Sequence, residues 1–174
     1  MVIANLTFGG MIEVALPALS RGPLHAGAFG FGLLLAFFGA GALVGSVATG
    51  LLSGLKHRAA IGLLVAIVQA LAIALIPYAG GLVGALVCLL VMGVANSITN
   101  VFFITLIQQT LPRALMGRVM GLLMLGSLGS YPVSVLLTGI LVTHTGPTLM
   151  FPLCAIFLSA GALFGLARRE IREM

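Results

Sequence analysis

Two long stretches of this chain carry no Asp, Glu, Lys or Arg at all, one from Ala59 to Pro112 and one from Val119 to Ala167. A helix needs about 20 apolar residues, each rising about 1.5 Å, to cross a hydrocarbon core about 30 Å thick. Each charge-free run is too long for one crossing and the right length for two. The first run breaks at Pro77-Tyr78-Ala79-Gly80-Gly81 and the second at Thr143-His144-Thr145-Gly146-Pro147, both rich in turn-forming residues. With the stretch from Gly27 to Ser53 and the opening segment from Val2 to Ser20, the spacing predicts six spans at approximately 2–20, 27–53, 59–77, 82–108, 119–142 and 147–167. The expected fold class is an all-α membrane protein, with residues 1–174 forming a single six-helix transmembrane domain.

Composition agrees. The chain is 61% hydrophobic and 6% charged, where a soluble domain carries roughly 25% charged residues. Its net charge of +5 could suggest a nucleic-acid partner. The eight Lys and Arg residues lie in short separated clusters, however, and not in the continuous basic stripe that phosphate binding needs. No nucleic-acid partner is expected; the surrounding medium is the lipid bilayer.

The cations also orient the chain, because short positively charged loops stay in the cytoplasm. Lys56, Arg58, Arg113, Arg118, Arg168, Arg169 and Arg172 fall on one side of the six crossings, and Arg21 alone falls on the other. Both termini are therefore expected in the cytoplasm. Met1-Val2-Ile3-Ala4 lacks the basic start of a cleavable signal, so the first span is expected to be retained. Cys88 and Cys154 fall inside spans as small packing residues, and His25, His57 and His144 are scattered over connecting segments. Neither a metal site nor a cofactor is expected.

Helices three apart share a character. Spans one and four carry polar residues, with Asn5, Thr7 and Glu13 answered by Asn96, Ser97, Thr99, Asn100 and Thr105. Spans two and five are rich in glycine, with Gly39, Gly41, Gly45 and Gly50 answered by Gly121, Gly126, Gly129 and Gly139. Spans three and six are plain apolar helices, interrupted chiefly by Gln69 and Ser159. This order, repeated, is the pattern of a three-plus-three inverted repeat; the alternative is coincidence among helices all rich in Gly, Ala and Leu. Small residues let helix backbones approach, so Gly41 to Gly45 and Gly117 to Gly121 are expected to be packing faces, with the plain helices on the lipid-facing rim.

The stretch Gln108-Gln109-Thr110-Leu111-Pro112, followed by Gly117-Arg118-Val119-Met120-Gly121, resembles the cytoplasmic loop between helices ten and eleven of bacterial major facilitator superfamily exporters. The likeness is to drug and siderophore exporters related to macrolide efflux proteins. Gly50-Leu51-Leu52-Ser53-Gly54 running into Lys56-His57-Arg58 is similar to the basic loop after helix eight, and Gly129-Ser130-Tyr131-Pro132-Val133-Ser134 is similar to helix eleven. The chain departs from the family in having Ala114-Leu115-Met116 where an acid and an extra Arg usually stand, and Ser53-Gly54 where an Asp is usual. The resemblance implies the C-terminal half of a transporter, helices seven to twelve, in a bacterial cytoplasmic membrane. It further implies a secondary exporter of small amphipathic molecules driven by the proton gradient, working with an N-terminal six-helix half. The competing reading is a six-helix unit that pairs with a second copy as a channel or scaffold, or an inactive transporter fragment.

Several residues stand out as functional candidates. Asn96 and Asn100 share a helical face near mid-membrane, and with Thr99 they either line a substrate pathway or hydrogen-bond a neighbouring helix. Glu13 is the one acid inside a span, and an ionisable residue there can carry a coupling proton, meet a cationic substrate or simply reach interfacial water. Tyr131-Pro132 marks a kink suited to helix movement, since proline removes a helical donor. Gln108, Pro112, Gly117 and Arg118 form the loop motif. No Gly-x-Ser-Gly turn of an intramembrane protease and no Asn-Pro of a water channel occurs, so an enzyme is not expected. The topology is testable: periplasm-active reporters fused after Arg21 and Ala79, and cytoplasm-active ones after His57 and at the C-terminus, should all give signal. Silence at the C-terminus would mean that a span is miscounted.

Overall fold

The computed structural model describes residues 8–52, 58–110 and 112–167, and among them the chain is helical with no strand. Helix α1 covers 8–21, with Met11–Ala15 wound as a π-helical turn and Leu16–Arg21 as α-helix. Helix α2 is Gly27–Leu52, and α3 is Arg58–Leu75, closed by a 3-10 turn at Ile76–Tyr78. Helices α4, Leu82–Thr110, α5, Arg113–Thr145, and α6, Pro147–Ala167, complete the bundle. Among the described residues three stretches are long and apolar enough to cross a membrane, Gly27–Gly50, Leu82–Gln109 and Leu115–Thr145, while Leu64–Tyr78 and Pro147–Ala160 are shorter apolar helices.

The turns follow the local chemistry. After the 3-10 turn, Gly80 and Gly81 take positive φ values of 74° and 120°, where a side chain would be strained. Between α5 and α6 the sequence suggests a five-residue break, yet helix runs through Thr145 and only Gly146 interrupts it, at φ 79°. Its N–H donates to the Val142 carbonyl, so one glycine suffices to end one helix and admit Pro147 as the start of the next. Helix α5 likewise begins at Arg113, six residues before the span expected at 119, because Pro112 supplies an extended N-terminal residue at ψ 141°.

The closest backbone approach joins α2 to α4. A Cβ on Gly41 would strike the Leu90 carbonyl, one on Gly93 would strike the Phe38 carbonyl, and one on Gly45 would lie 2.5 Å from the Val94 carbonyl oxygen. Glycines on both helices therefore interlock, as expected for Gly41 to Gly45. The companion expectation fails: added Cβ atoms at Gly117 and Gly121 meet nothing within 4 Å, and both residues are exposed on α5. Small residues permit close approach but cannot supply a partner helix.

The apolar core is drawn from α1, α2, α3, α4 and α6, with Met11, Leu16, Leu19, Leu34, Ile73 and Phe151 among its fully buried members. On α3, Leu64, Ile67, Val68, Leu71 and Leu75 form an outward stripe while Gln69, Ala70, Ala72 and Ile73 face in. The plain helices are thus only half rim, because α3 and α6 also pack on each other and supply core. Helix α5 is the most outward-facing: Leu122, Leu125 and Leu128 are 69%, 71% and 73% exposed, and its buried side chains are polar, Ser134 and Thr138. Gly93→Val should lower stability by about 1–3 kcal/mol through overpacking, whereas Gly121→Val should change it little. Reversible unfolding in mixed detergent would show the contrast; equal effects would contradict this packing.

Candidate functional site

Polar side chains from α1 and α5 meet across the helix pair. The Tyr131 hydroxyl donates to Glu13 Oε1 at 2.8 Å, and one turn along, the Gly10 backbone N–H donates to Ser134 Oγ at 2.8 Å. An added Cβ on Gly10 would strike the Thr138 hydroxyl, and one on Gly9 would lie 2.9 Å from the Tyr131 ring. Two glycines on α1 therefore admit three side chains of α5, Tyr131, Ser134 and Thr138, which recur at helical spacing on one face. A fourth residue of that stripe, Ser127, has a buried hydroxyl with no hydrogen-bond partner among the described residues.

The π turn has a local cause. Pro17 cannot donate to the carbonyl four residues back, that of Glu13, and its ring would crowd that carbonyl in a regular helix. Widening the turn relieves the crowding: the Leu16 N–H donates five residues back, to the Met11 carbonyl. Glu13 thus sits in the middle of a π turn, where it is exposed and reaches α5.

With α2, helix α1 also borders a cavity of about 390 Å³ lined by Glu13, Pro17, Arg21, Gly27, Ala28 and Phe31. The far wall is the first turn of α2, fixed by the connecting turn: buried Ser20 donates from Oγ to the Gly27 carbonyl at 2.8 Å, and the Ala26 N–H donates to the Ser20 carbonyl at 2.9 Å. Gly27 has φ 60°, a conformation natural to glycine.

The other expected residues take separate places. Asn100 Nδ2 donates to Asn96 Oδ1 in a long contact of 3.4 Å, with Asn96 half-buried and Asn100 exposed on α4. Thr99 turns back on its own helix, its hydroxyl donating to the Ala95 carbonyl at 2.9 Å. Pro132 lies inside α5, which runs unbroken past it. The motif resembling a loop is almost entirely helical: Gln108 lies in the last turn of α4, Gly117 and Arg118 in the first turns of α5, and Pro112 just before α5.

The structure thus unites Glu13 with Tyr131, which the sequence offers as unrelated candidates. It adds Gly10, Ser134 and Thr138, whose signal in the sequence is the spacing of Tyr131, Ser134 and Thr138 along one face of α5, and Pro17, whose signal is a proline four residues after a lone acid.

A bundle of long apolar helices with polar side chains meeting between them defines a multi-pass membrane protein. A family model described as "Transmembrane secretion effector" matches residues 4–174, and the chain belongs to that family of major facilitator transporters. No curated protein and no solved structure matches the sequence. Membership points to transmembrane transport rather than to enzymatic chemistry.

The Tyr131 to Glu13 bond should show as a coupling of about 0.6 to 1.7 kcal/mol in a double-mutant cycle of Tyr131→Phe and Glu13→Met, the range of hydrogen bonds between membrane helices. Additive effects on unfolding would contradict it.

Proposed function

We propose that this chain is the C-terminal six-helix half of a proton-coupled secondary exporter of small amphipathic molecules, resembling the drug and siderophore exporters of the macrolide-efflux type. It resides in a bacterial cytoplasmic membrane with both termini inside. The observation that carries the reading is the order of helix contacts. Exchanging each helix for the one three places on turns the α2–α4 contact into α5–α1 and the α3–α4 contact into α6–α1, and leaves α3–α6 unchanged; all five contacts are present, whereas the α1–α2 and α5–α6 contacts have no counterpart of like extent among the described residues. The part of the contact order that follows the exchange supports a three-plus-three inverted repeat, in which substrate and coupling ion bind near the midplane between the repeats. Family membership supports transport.

In this reading the Glu13–Tyr131 layer on α1 and α5 is one polar wall of the pathway, and Glu13 carries the coupling proton. Asn96, Thr99 and Asn100 line the pathway from α4. Alternating access needs an opposing body to rock against. The apolar, outward face of α5, with Leu122, Leu125 and Leu128 and the bare glycines Gly117 and Gly121, supports docking of an N-terminal six-helix half, or of a second copy in its place.

Reconstitution tests the proposal. Proteoliposomes holding this chain alone should move a dye or drug under a proton gradient no faster than empty liposomes, and co-reconstitution with a compatible N-terminal half should restore movement. Gradient-driven transport by the chain alone would overturn the half-transporter reading and favour a self-assembled channel.

A further inference from the structure

The cavity between α1 and α2 is lined by groups of two opposite kinds. Glu13 and Arg21 lie eight residues apart on α1, about 12 Å along an α-helical axis, and both border the same space. Pro17, between them in sequence, and Ala28 and Phe31 on α2 make the remaining wall apolar, while Gly27 leaves it open where α2 begins. Arg21 is the last residue of α1, beside the turn that leads out of the bundle, and Glu13 lies two turns further into the helix. Tyr131 holds the Glu13 carboxylate from the α5 side. The space is a half-open cleft of about 390 Å³, within the roughly 300–1,000 Å³ of small-molecule sites, which combine an apolar lining with a few placed polar groups.

We propose that this cavity is a binding site for amphipathic amines whose far end carries an anionic or hydrogen-bond-accepting group. The ammonium seats on Glu13, the apolar body lies along Pro17, Ala28 and Phe31, and the far end meets Arg21 at the mouth. An aromatic face at Phe31 suits an organic cation passing over it. The order of charges separates two sources of such chemistry. A phosphatidylethanolamine headgroup carries an ammonium and a phosphate, but its phosphate lies nearer the acyl chains, the reverse of an acid two turns inside the helix and an arginine at its end. The occupant is therefore a free ligand that enters amine first. That this ligand is the transported substrate rests on the exporter reading above; its binding does not.

The test is binding to the full chain in phosphatidylcholine nanodiscs, corrected for empty nanodiscs, with three straight-chain probes: octylamine, octanoate and ω-aminooctanoate. Octylamine should bind more tightly than octanoate, and ω-aminooctanoate more tightly than either. Glu13→Gln should weaken both amines by about tenfold or more, as loss of a charged hydrogen bond does. Arg21→Gln should remove the advantage of ω-aminooctanoate over octylamine, while octylamine, relieved of a like charge in the same cavity, should bind no more weakly than before. Ala28→Leu fills the cavity without touching either charge and should weaken both amines together. Replacing part of the phosphatidylcholine by phosphatidylethanolamine should leave the affinities unchanged; competition would assign the site to lipid and overturn the proposal. Octanoate binding as tightly as octylamine, or amine binding indifferent to Glu13→Gln and Ala28→Leu, would overturn it as well. Those results would leave the transport reading standing, whereas failure of co-reconstituted transport with binding intact would remove that reading alone.

Discussion

Helix α5 is held to its neighbours by polar groups more than by apolar burial, and the site depends on that. Lipid tails are as apolar as leucine, so membrane helices gain little by hiding leucines from lipid and associate instead through close packing and hydrogen bonds. The buried side chains of α5 are Ser134 and Thr138, set against Gly9 and Gly10 of α1, with the Tyr131 to Glu13 bond beside them. The two glycines make that contact possible, because a larger residue at Gly10 would collide with Thr138. The acid is consequently positioned by the same contact that docks the helix. Any change at Glu13, whether a proton, an amine or a substitution, acts on the α1–α5 junction as well as on the cavity.

The remaining helices use a different device. Between α2 and α4, Gly41, Gly45 and Gly93 bring backbone against backbone, and Thr49 turns its hydroxyl onto the Gly45 carbonyl of its own helix. Polar groups are expensive in hydrocarbon unless they are paired, and hydroxyls bonded back to their own helix meet that need without a partner. Among the described residues, α2 and α4 form a tightly interlocked pair, and α1 and α5 form a junction joined by side-chain hydrogen bonds. In the proposed repeat these two contacts correspond, so the two halves of the repeat differ in how firmly they are held.

Much of the architecture was legible in the sequence because its causes are local. Charge-free runs and the Gly80-Gly81 and Gly146 turns mark the helices, since apolar length and positive φ are properties of single segments. Gly41 and Gly45 were legible as a packing face, while Gly117 and Gly121 carry the same spacing and stand bare, because whether a small face is used depends on which helix arrives beside it. The motif from Gln108 to Arg118 likewise has loop-like residues, yet helix takes nearly all of it once Pro112 provides a start. Glu13 and Tyr131 were each visible as unusual residues, but their meeting is a tertiary fact separated by 118 positions. The π turn needed the consequence of Pro17 for the carbonyl of Glu13, a steric effect that composition does not display.

The proposed transport pathway requires that Asn96 and Asn100 on α4 face water rather than merely join helices. The direct test places single cysteines at Asn96, Asn100, Leu64 and Leu158 in a Cys88→Ala, Cys154→Ala background and exposes membranes to a small polar thiol reagent. Rapid labelling is expected at positions 96 and 100 and none at positions 64 and 158. Equal inertness at all four would contradict it and leave the asparagines as structural hydrogen-bonding groups.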